Sequence, residues 1–164
     1  VGIITTALKQ ERVEPKHLAA AIASMKQLNR ASAAAAIAAD AHAMTDITGF
    51  GLLGHGHEMA EQSAVDFRFR LVDIPWLPDA RAYGIAGAFP GGMDNNAGYF
   101  GRWVTFADGI DKGYLYHDML FTPETSGGLL VSLSPDKVSG YLARVPHAAI
   151  VGEVEPGDGH IWIN

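Results

Sequence analysis

A chain of 164 residues that is 48% hydrophobic and 18% charged can bury one core without covalent staples, so a single globular domain is expected. Its formal net charge of −6 argues against a phosphate-backbone binder, and the absence of cysteine excludes disulfides, thiolate metal sites and a thiol nucleophile. No apolar run approaches the ~20 residues that span a bilayer, and no basic-then-apolar leader opens the sequence, which sets the expectation of a soluble, cytoplasmic protein.

Residues 1–6 read as a short extended segment already in mid-course, so residues 1–14 are expected to be a linker or first strand after an N-terminal domain that this sequence lacks, with 15–164 forming the domain proper. Pro15 suits the first position of a helix, and residues 16 to about 41 are rich in Ala, Leu, Met and Lys. One long helix is predicted there, with Leu18, Ile22 and Met25 as its buried stripe and with Asn29 and Arg30 interrupting the apolar pattern. After His42 the pattern predicts a short strand, a glycine-bearing turn and a helix to about Gln62.

Val65, Phe67, Phe69 and Leu71 alternate with Asp66, Arg68 and Arg70, the period of a strand with one buried face. Its arginines are assigned to a solvated outer surface or a domain interface. Pro75 and Pro78 introduce a short helix over 79–88, which Pro90-Gly91-Gly92 ends. Residues 93–112 lack clean periodicity and are expected to be irregular, with an aromatic segment over 99–106. One or two helical turns are expected over 114–120 and a buried strand over 127–133, entered through the turn at 125–128. Pro135 begins another helix, and strands over 148–154 and 160–163 flank the turn at 156–159. Without regular β-α-β-α alternation, the fold class is α+β: a layered α/β sandwich with a mixed, largely antiparallel sheet and flanking helices.

The segment richest in chemistry is Thr45-Asp46-Ile47-Thr48-Gly49-Phe50-Gly51-Leu52-Leu53-Gly54-His55, which places an acid at a strand end before a glycine turn and a helix start. Helix N-termini present unpaired N–H groups and partial positive charge, and glycines let a phosphate approach the backbone. Asp46 could then hold a magnesium that bridges such phosphates. On local features alone, a helix cap is the commoner use of the same residues. Gly49, Gly51 and Gly54 satisfy a dinucleotide fingerprint only formally, and the phosphate-loop pattern is missing. His55 and His57, two apart on a helix, point to nearly opposite sides, and His55 with Glu58 lacks the usual zinc motif, so packing and surface roles are assigned. The seven histidines form no cluster along the chain.

Three segments together, residues 45–55, Pro90-Gly91-Gly92 with Asn96, and Thr125-Ser126-Gly127-Gly128-Leu129-Leu130, resemble in order and spacing the signatures of the selenophosphate synthetase C-terminal domain. Residues 2–7, 25–30 and 151–154 agree as well, so the resemblance covers almost the whole chain. It implies the C-terminal fold of the aminoimidazole ribotide synthetase (PurM-like) superfamily. It also implies an enzyme that converts selenide, ATP and water to selenophosphate, AMP and phosphate with Mg2+. Asp46 would be a metal ligand, and Thr48, Gly49, Gly51, Asn96, Ser126, Gly127 and Gly128 would face the nucleotide phosphates. The reactive residue, a catalytic lysine and most of the ATP site would lie in the missing N-terminal domain, so no catalytic residue is expected here and the chain alone would be inactive. A homodimer is implied for the whole protein. The family commonly has Asp-Pro-Gln where this chain has Thr122-Pro123-Glu124, and Thr or Ser at Met93. Alternatives are the C-terminal domain of another ATP enzyme of the superfamily, or a non-catalytic scaffold.

Overall fold

A computed structural model describes residues 1–110 and 114–164 of the chain. Where a linker or strand was expected, helix α1 (Gly2–Lys9) forms and buries Ile3, Ile4 and Ala7. The β-branched run Ile3-Ile4-Thr5-Thr6 favours an extended backbone locally. Burial of Ile3 and Ala7 against Ala80, Ala88 and Met119 overrides that preference.

The expected long helix is two, α2 (Pro15–Lys26) and α3 (Arg30–Ala38). The break falls where Gln27 turns extended and Asn29 donates its side-chain amide to the Gly127 carbonyl, 3.2 Å away. The buried stripe of α2 also differs, being His17 and Ala21, while Ile22 is 44% exposed. The reason is polar: the His17 Nε2 lies 2.6 Å from the Asp79 carboxylate and its Nδ1 lies 2.9 Å from the Tyr83 hydroxyl, so the helix rolls to bury the imidazole.

Strand β1 (Ala43–Asp46) leads through a turn to α4 (Gly51–Gln62), followed by β2 (Val65–Phe69) and α5 (Ala80–Ile85). The stretch expected to be irregular contains α6 (Gly92–Phe100), a single 3-10 turn and β3 (Val104–Phe106); its residues 111 and 112 lie outside the described residues. Its two glycines and two asparagines mask the helical spacing of the buried Met93, Asn96 and Phe100. Then come α7 (Leu115–Phe121), β4 (Leu129–Ser132), α8 (Pro135–Arg144), β5 (Gly152–Pro156) and β6 (Ile161–Ile163).

Among the described residues the strands form two sheets. One is the antiparallel pair β1–β4, and the other has the order β3–β6–β2–β5, with β2–β5 antiparallel and the other two pairings parallel. This is the mixed α+β arrangement expected. Alternation along β2 puts Phe67 and Phe69 on the covered face, where they meet Ile161, Ile163 and the α4 residues Leu53, Met59 and Ala60. Helices α6 and α7 close the same core with Met93, Phe100, Leu120 and Phe121. On α4 the buried His57 donates from Nδ1 to the Gly159 carbonyl at 2.8 Å and stacks on Trp103, with ring centroids 4.1 Å apart. No helix among the described residues is long and apolar enough to cross a membrane.

The polar face of β2 is consumed internally. Arg68 makes two 2.8 Å bonds to Glu155, and Arg70 binds Asp73 and Glu153. The Asp66 carboxylate accepts the backbone N–H groups of Asp158, Gly159 and His160 and the indole N–H of Trp162, tying the final turn to the sheet. Partial burial is the largest influence on this carboxyl and pushes its pKa up, but the four donors together outweigh it and hold the group below its ordinary 3.8. Glu155 lies below its ordinary 4.5, chiefly through the hydrogen bond from Arg68. A carboxyl with a depressed folded pKa binds fewer protons when folded, so it stabilises above the unfolded value and loses that contribution as pH falls through the folded one. Thermal melting is therefore expected to hold steady above about pH 5 and to fall below about pH 4. Asp66→Ala is expected to cost about 2 kcal/mol, roughly 5 °C in Tm at pH 7, and to narrow the gap between scans at pH 7 and pH 3.

Candidate functional site

The three glycine-bearing segments, far apart in sequence, meet around the end of β1. Antiparallel pairing with β4 sets Asp46 opposite Leu129. One step on, the Ile47 N–H donates to the Gly128 carbonyl at 3.0 Å and the Gly127 N–H donates to the Ile47 carbonyl at 2.9 Å. The backbone closeness requires glycine at 127, because a Cβ there would overlap the Ile47 carbonyl oxygen. The Thr48 carbonyl then accepts from the Glu124 N–H at 2.8 Å and the Gly51 N–H at 3.2 Å, which closes the turn into α4. Gly51 stands at φ +69°, and a Cβ on it would lie 2.7 Å from the Leu120 carbonyl oxygen.

Asn96 ties the third segment in. Only 7% exposed, it donates both hydrogens of its amide nitrogen, one to the Gly49 carbonyl and one to the Phe121 carbonyl, each at 2.9 Å. Gly92, at the start of the same helix, lies against the ring of Pro123. His55 braces the turn from α4: its Nε2 lies 3.1 Å from the Thr48 hydroxyl and 3.3 Å from the Phe50 backbone nitrogen. Since the Phe50 N–H can only donate, Nε2 is the acceptor, and Nδ1 carries the hydrogen that points to Glu58, 3.1 Å away. Packing explains His55 and His57, in keeping with their sequence pattern, and the described residues hold no group of three side chains able to chelate a metal.

The expected site residues therefore divide by depth. Asp46, Gly49 and Gly128 are exposed, Thr48, Ser126 and Gly127 are half-buried, and Gly51 and Asn96 lie beneath the surface. The buried pair shapes the backbone instead of facing outward. Asp46 does not cap α4, whose N-cap is Phe50 with no side-chain cap bond, and no described residue hydrogen-bonds its carboxylate. An open carboxylate beside an uncapped helix N-terminus is a mixed electrostatic surface, since one attracts phosphate and the other repels it. A hard cation between the acid and an incoming phosphate reconciles the two, and one carboxylate with waters and phosphate oxygens is a normal magnesium donor set.

Sequence reasoning marked Thr122-Pro123-Glu124 as a departure from the family pattern but did not show that residues 120–124 form a strap against the turn after β1. Its Thr122 is 2% exposed and donates its hydroxyl to the Asp118 carbonyl at 2.8 Å, while Met93 is buried in the core. Of the positions that depart from the family pattern, only Glu124 reaches the half-open surface, where its carboxylate lies 2.5 Å from the Val1 nitrogen. The glycines at 2, 51 and 92 were the available signal, because each sits where a Cβ would strike this strap.

Comparison with known proteins adds the family. Residues 2–163 match the family model described as AIR synthase related protein, C-terminal domain. The chain is 39% identical to a selenide, water dikinase of Paraburkholderia xenovorans (strain LB400), across 99% of this chain and 47% of the relative. Proteins of that name from Geobacter sp. (strain M21), 39% identical, and Dechloromonas aromatica (strain RCB), 36% identical, are matched over 96% of this chain and 46% of their own lengths. The chain thus spans about half the length of these curated relatives.

The Asn96 bridge gives a direct test of the site's architecture. Asn96→Ala strands two carbonyls in a buried setting, so calorimetry is expected to show a loss of about 2–3 kcal/mol, roughly 5–10 °C in Tm. Gly51→Ala combines a left-handed backbone with a steric overlap and is expected to destabilise by at least about 2 kcal/mol on the same instrument.

Proposed function

The chain belongs to the AIR synthase related protein family, as its C-terminal domain, and from that premise we propose that it is the C-terminal half of an ATP-dependent selenophosphate synthetase. The whole protein would be a selenide, water dikinase that converts selenide, ATP and water to selenophosphate, AMP and phosphate. In this reading the chain contributes a metal-binding carboxylate and part of the phosphate-site wall, while the reactive residue and most of the nucleotide site reside in the other half. The full-length protein would work in the cytoplasm as a homodimer.

The observation that carries the proposal is Asp46, exposed, unengaged by any described residue, and standing at the end of β1, opposite Leu129 and one residue before the backbone contact of Ile47 with Gly127 and Gly128. Magnesium, when bound, would neutralise phosphate charge as phosphoryl groups leave ATP. Asp46, at the end of β1, would be the residue of this chain that holds the cation. The N–H groups of Thr48, Gly49, Ser126 and Gly128 would be offered to phosphate oxygens, those of Gly51 and Gly127 being spent on the Thr48 and Ile47 carbonyls, and Asn96 and His55 keep the turn from relaxing. Phosphoryl transfer depends on positioning and charge neutralisation more than on covalent chemistry, so a domain without a nucleophile can supply a share of the site. In the same scheme the half-buried Ser126 hydroxyl would orient ligand oxygens or water, while the Thr48 hydroxyl is directed to His55 and holds the turn.

In the full-length protein, Asp46→Ala is expected to reduce selenide-dependent AMP formation on the order of 100-fold with Tm unchanged within error, because the side chain is exposed and unpaired. The isolated chain is expected to form no AMP. Unaltered turnover in the Asp46 variant would remove the metal-ligand role, and selenide-dependent AMP formation by the isolated chain would remove the division of labour between halves.

A further inference from the structure

Just beyond the last β1–β4 pair, Ile47 holds the turn at 125–128 by two bonds: its carbonyl accepts the Gly127 N–H at 2.9 Å and its N–H donates to the Gly128 carbonyl at 3.0 Å. Neither bond involves the peptide unit that joins Gly127 to Gly128. Among the described residues that unit is held by one contact, the side-chain amide of Asn29, which donates to the Gly127 carbonyl at 3.2 Å. We propose that Asn29 is a positioning residue for nucleotide phosphates, fixing the Gly127–Gly128 peptide so that it offers its N–H, and not its carbonyl, to the anion. The inference rests on the phosphate-site reading above, and it does not depend on whether Asp46 binds the metal.

The peptide is trans, so its C=O and N–H point in opposite directions. With the carbonyl drawn to Asn29, the Gly128 N–H is turned away from the break between α2 and α3, and no described residue accepts it. A unit flanked by two glycines turns over easily, because no Cβ restricts the dihedral on either side. Turned over, it would present a carbonyl oxygen where a phosphate needs a donor. The neighbouring turn is treated alike, since Asn96 draws the Gly49 carbonyl inward at 2.9 Å. Carbonyl and phosphate oxygens repel, so withdrawing both carbonyls suits an anion.

Asn29 gives up a local role to make this contact. It is the N-cap of α3, where an Asn side chain ordinarily accepts from the first N–H groups of the helix, yet no cap bond forms. The helical run is broken for it as well: α2 ends as Gln27 turns extended, and Leu28, between the two helices, is left 79% exposed. Apolar burial does not explain a break that exposes a leucine and forgoes a cap. What the break delivers is a donor at Gly127, and local preferences overridden in this way are expected at functional positions.

The test uses Asn29→Ser and Asn29→Ala in the full-length protein, reading the affinity for magnesium with a non-hydrolysable ATP analogue by calorimetry, Tm, and selenide-dependent AMP formation. Serine caps α3 but is too short to reach Gly127, so it separates the helix from the turn. Asn29→Ser is expected to keep Tm within about 3 °C and to weaken analogue binding and raise KM for ATP on the order of 10-fold. Its kcat is expected to stay within about threefold, because the Gly128 contact is made to ground state and transition state alike. Asn29→Ala is expected to show the same loss of affinity with a lower Tm. Unchanged affinity and KM in Asn29→Ser overturn the positioning role, as does a fall in kcat at unchanged KM, the mark of fewer folded sites. A wild-type protein that forms no AMP from selenide and ATP overturns the proposed function and this inference with it.

Discussion

The Asn96 amide, buried under the turn before α4, draws the Gly49 and Phe121 carbonyls onto one nitrogen, and the geometry around Asp46 depends on that convergence. Two carbonyl dipoles repel when brought together without a donor, so the close approach of residues 47–51 to the strap at 120–124 requires a buried amide. Glycine supplies the other half of the constraint. At 51 and 127 the two backbones run so close that a methyl group would collide with a carbonyl, and the hydrogen bonds from Glu124 to Thr48 and from Gly127 to Ile47 form because nothing intervenes. What reaches the surface, one carboxylate and a few exposed peptide groups, is the visible part of a much larger buried bracket.

This bracket explains which parts of the molecule could be read from the sequence. The alternation of Phe67 and Phe69 with Asp66 and Arg68 identified β2 because its face is buried by neighbours of ordinary size, and the mixed α+β class followed from the order of such segments. The turn after β1 stood out because glycines cluster where backbones touch. Helix α1 was obscured because local preference for extended backbone in Ile3-Ile4-Thr5-Thr6 gives way to burial that only tertiary contacts reveal. The division of α2 from α3 depends on Asn29 reaching Gly127, 98 positions away, and no local pattern encodes such a contact. Helix α6 was hidden by its own composition: Gly and Asn are poor helix formers, yet here they serve the packing of Pro123 and the carbonyl bridge.

At the candidate site, the sequence pointed to the right segments without distinguishing depth. Asp46 and Asn96 look alike in a motif, two polar residues next to glycines, but one faces solvent and the other is spent on carbonyls. The same distinction separates Thr48, whose hydroxyl meets His55 beneath the turn, from Ser126, for which no such anchor is observed among the described residues. Family membership then narrows the chemistry that so sparse a surface could serve. A lone carboxylate beside an uncapped helix start has little affinity for anions by itself.

The stacking of His57 on Trp103 has a practical side. The indole lies flat against an imidazole whose Nδ1 hydrogen is committed to the Gly159 carbonyl, next to the turn that Asp66 gathers in. With Trp76 and Trp162 replaced, intrinsic fluorescence from that ring becomes a probe of one specific place, the junction of α4 with the chain's last loop. When the loop lifts, the imidazole loses its acceptor and the emission of Trp103 changes with it, so loosening of this end of the molecule is observable by light without a label.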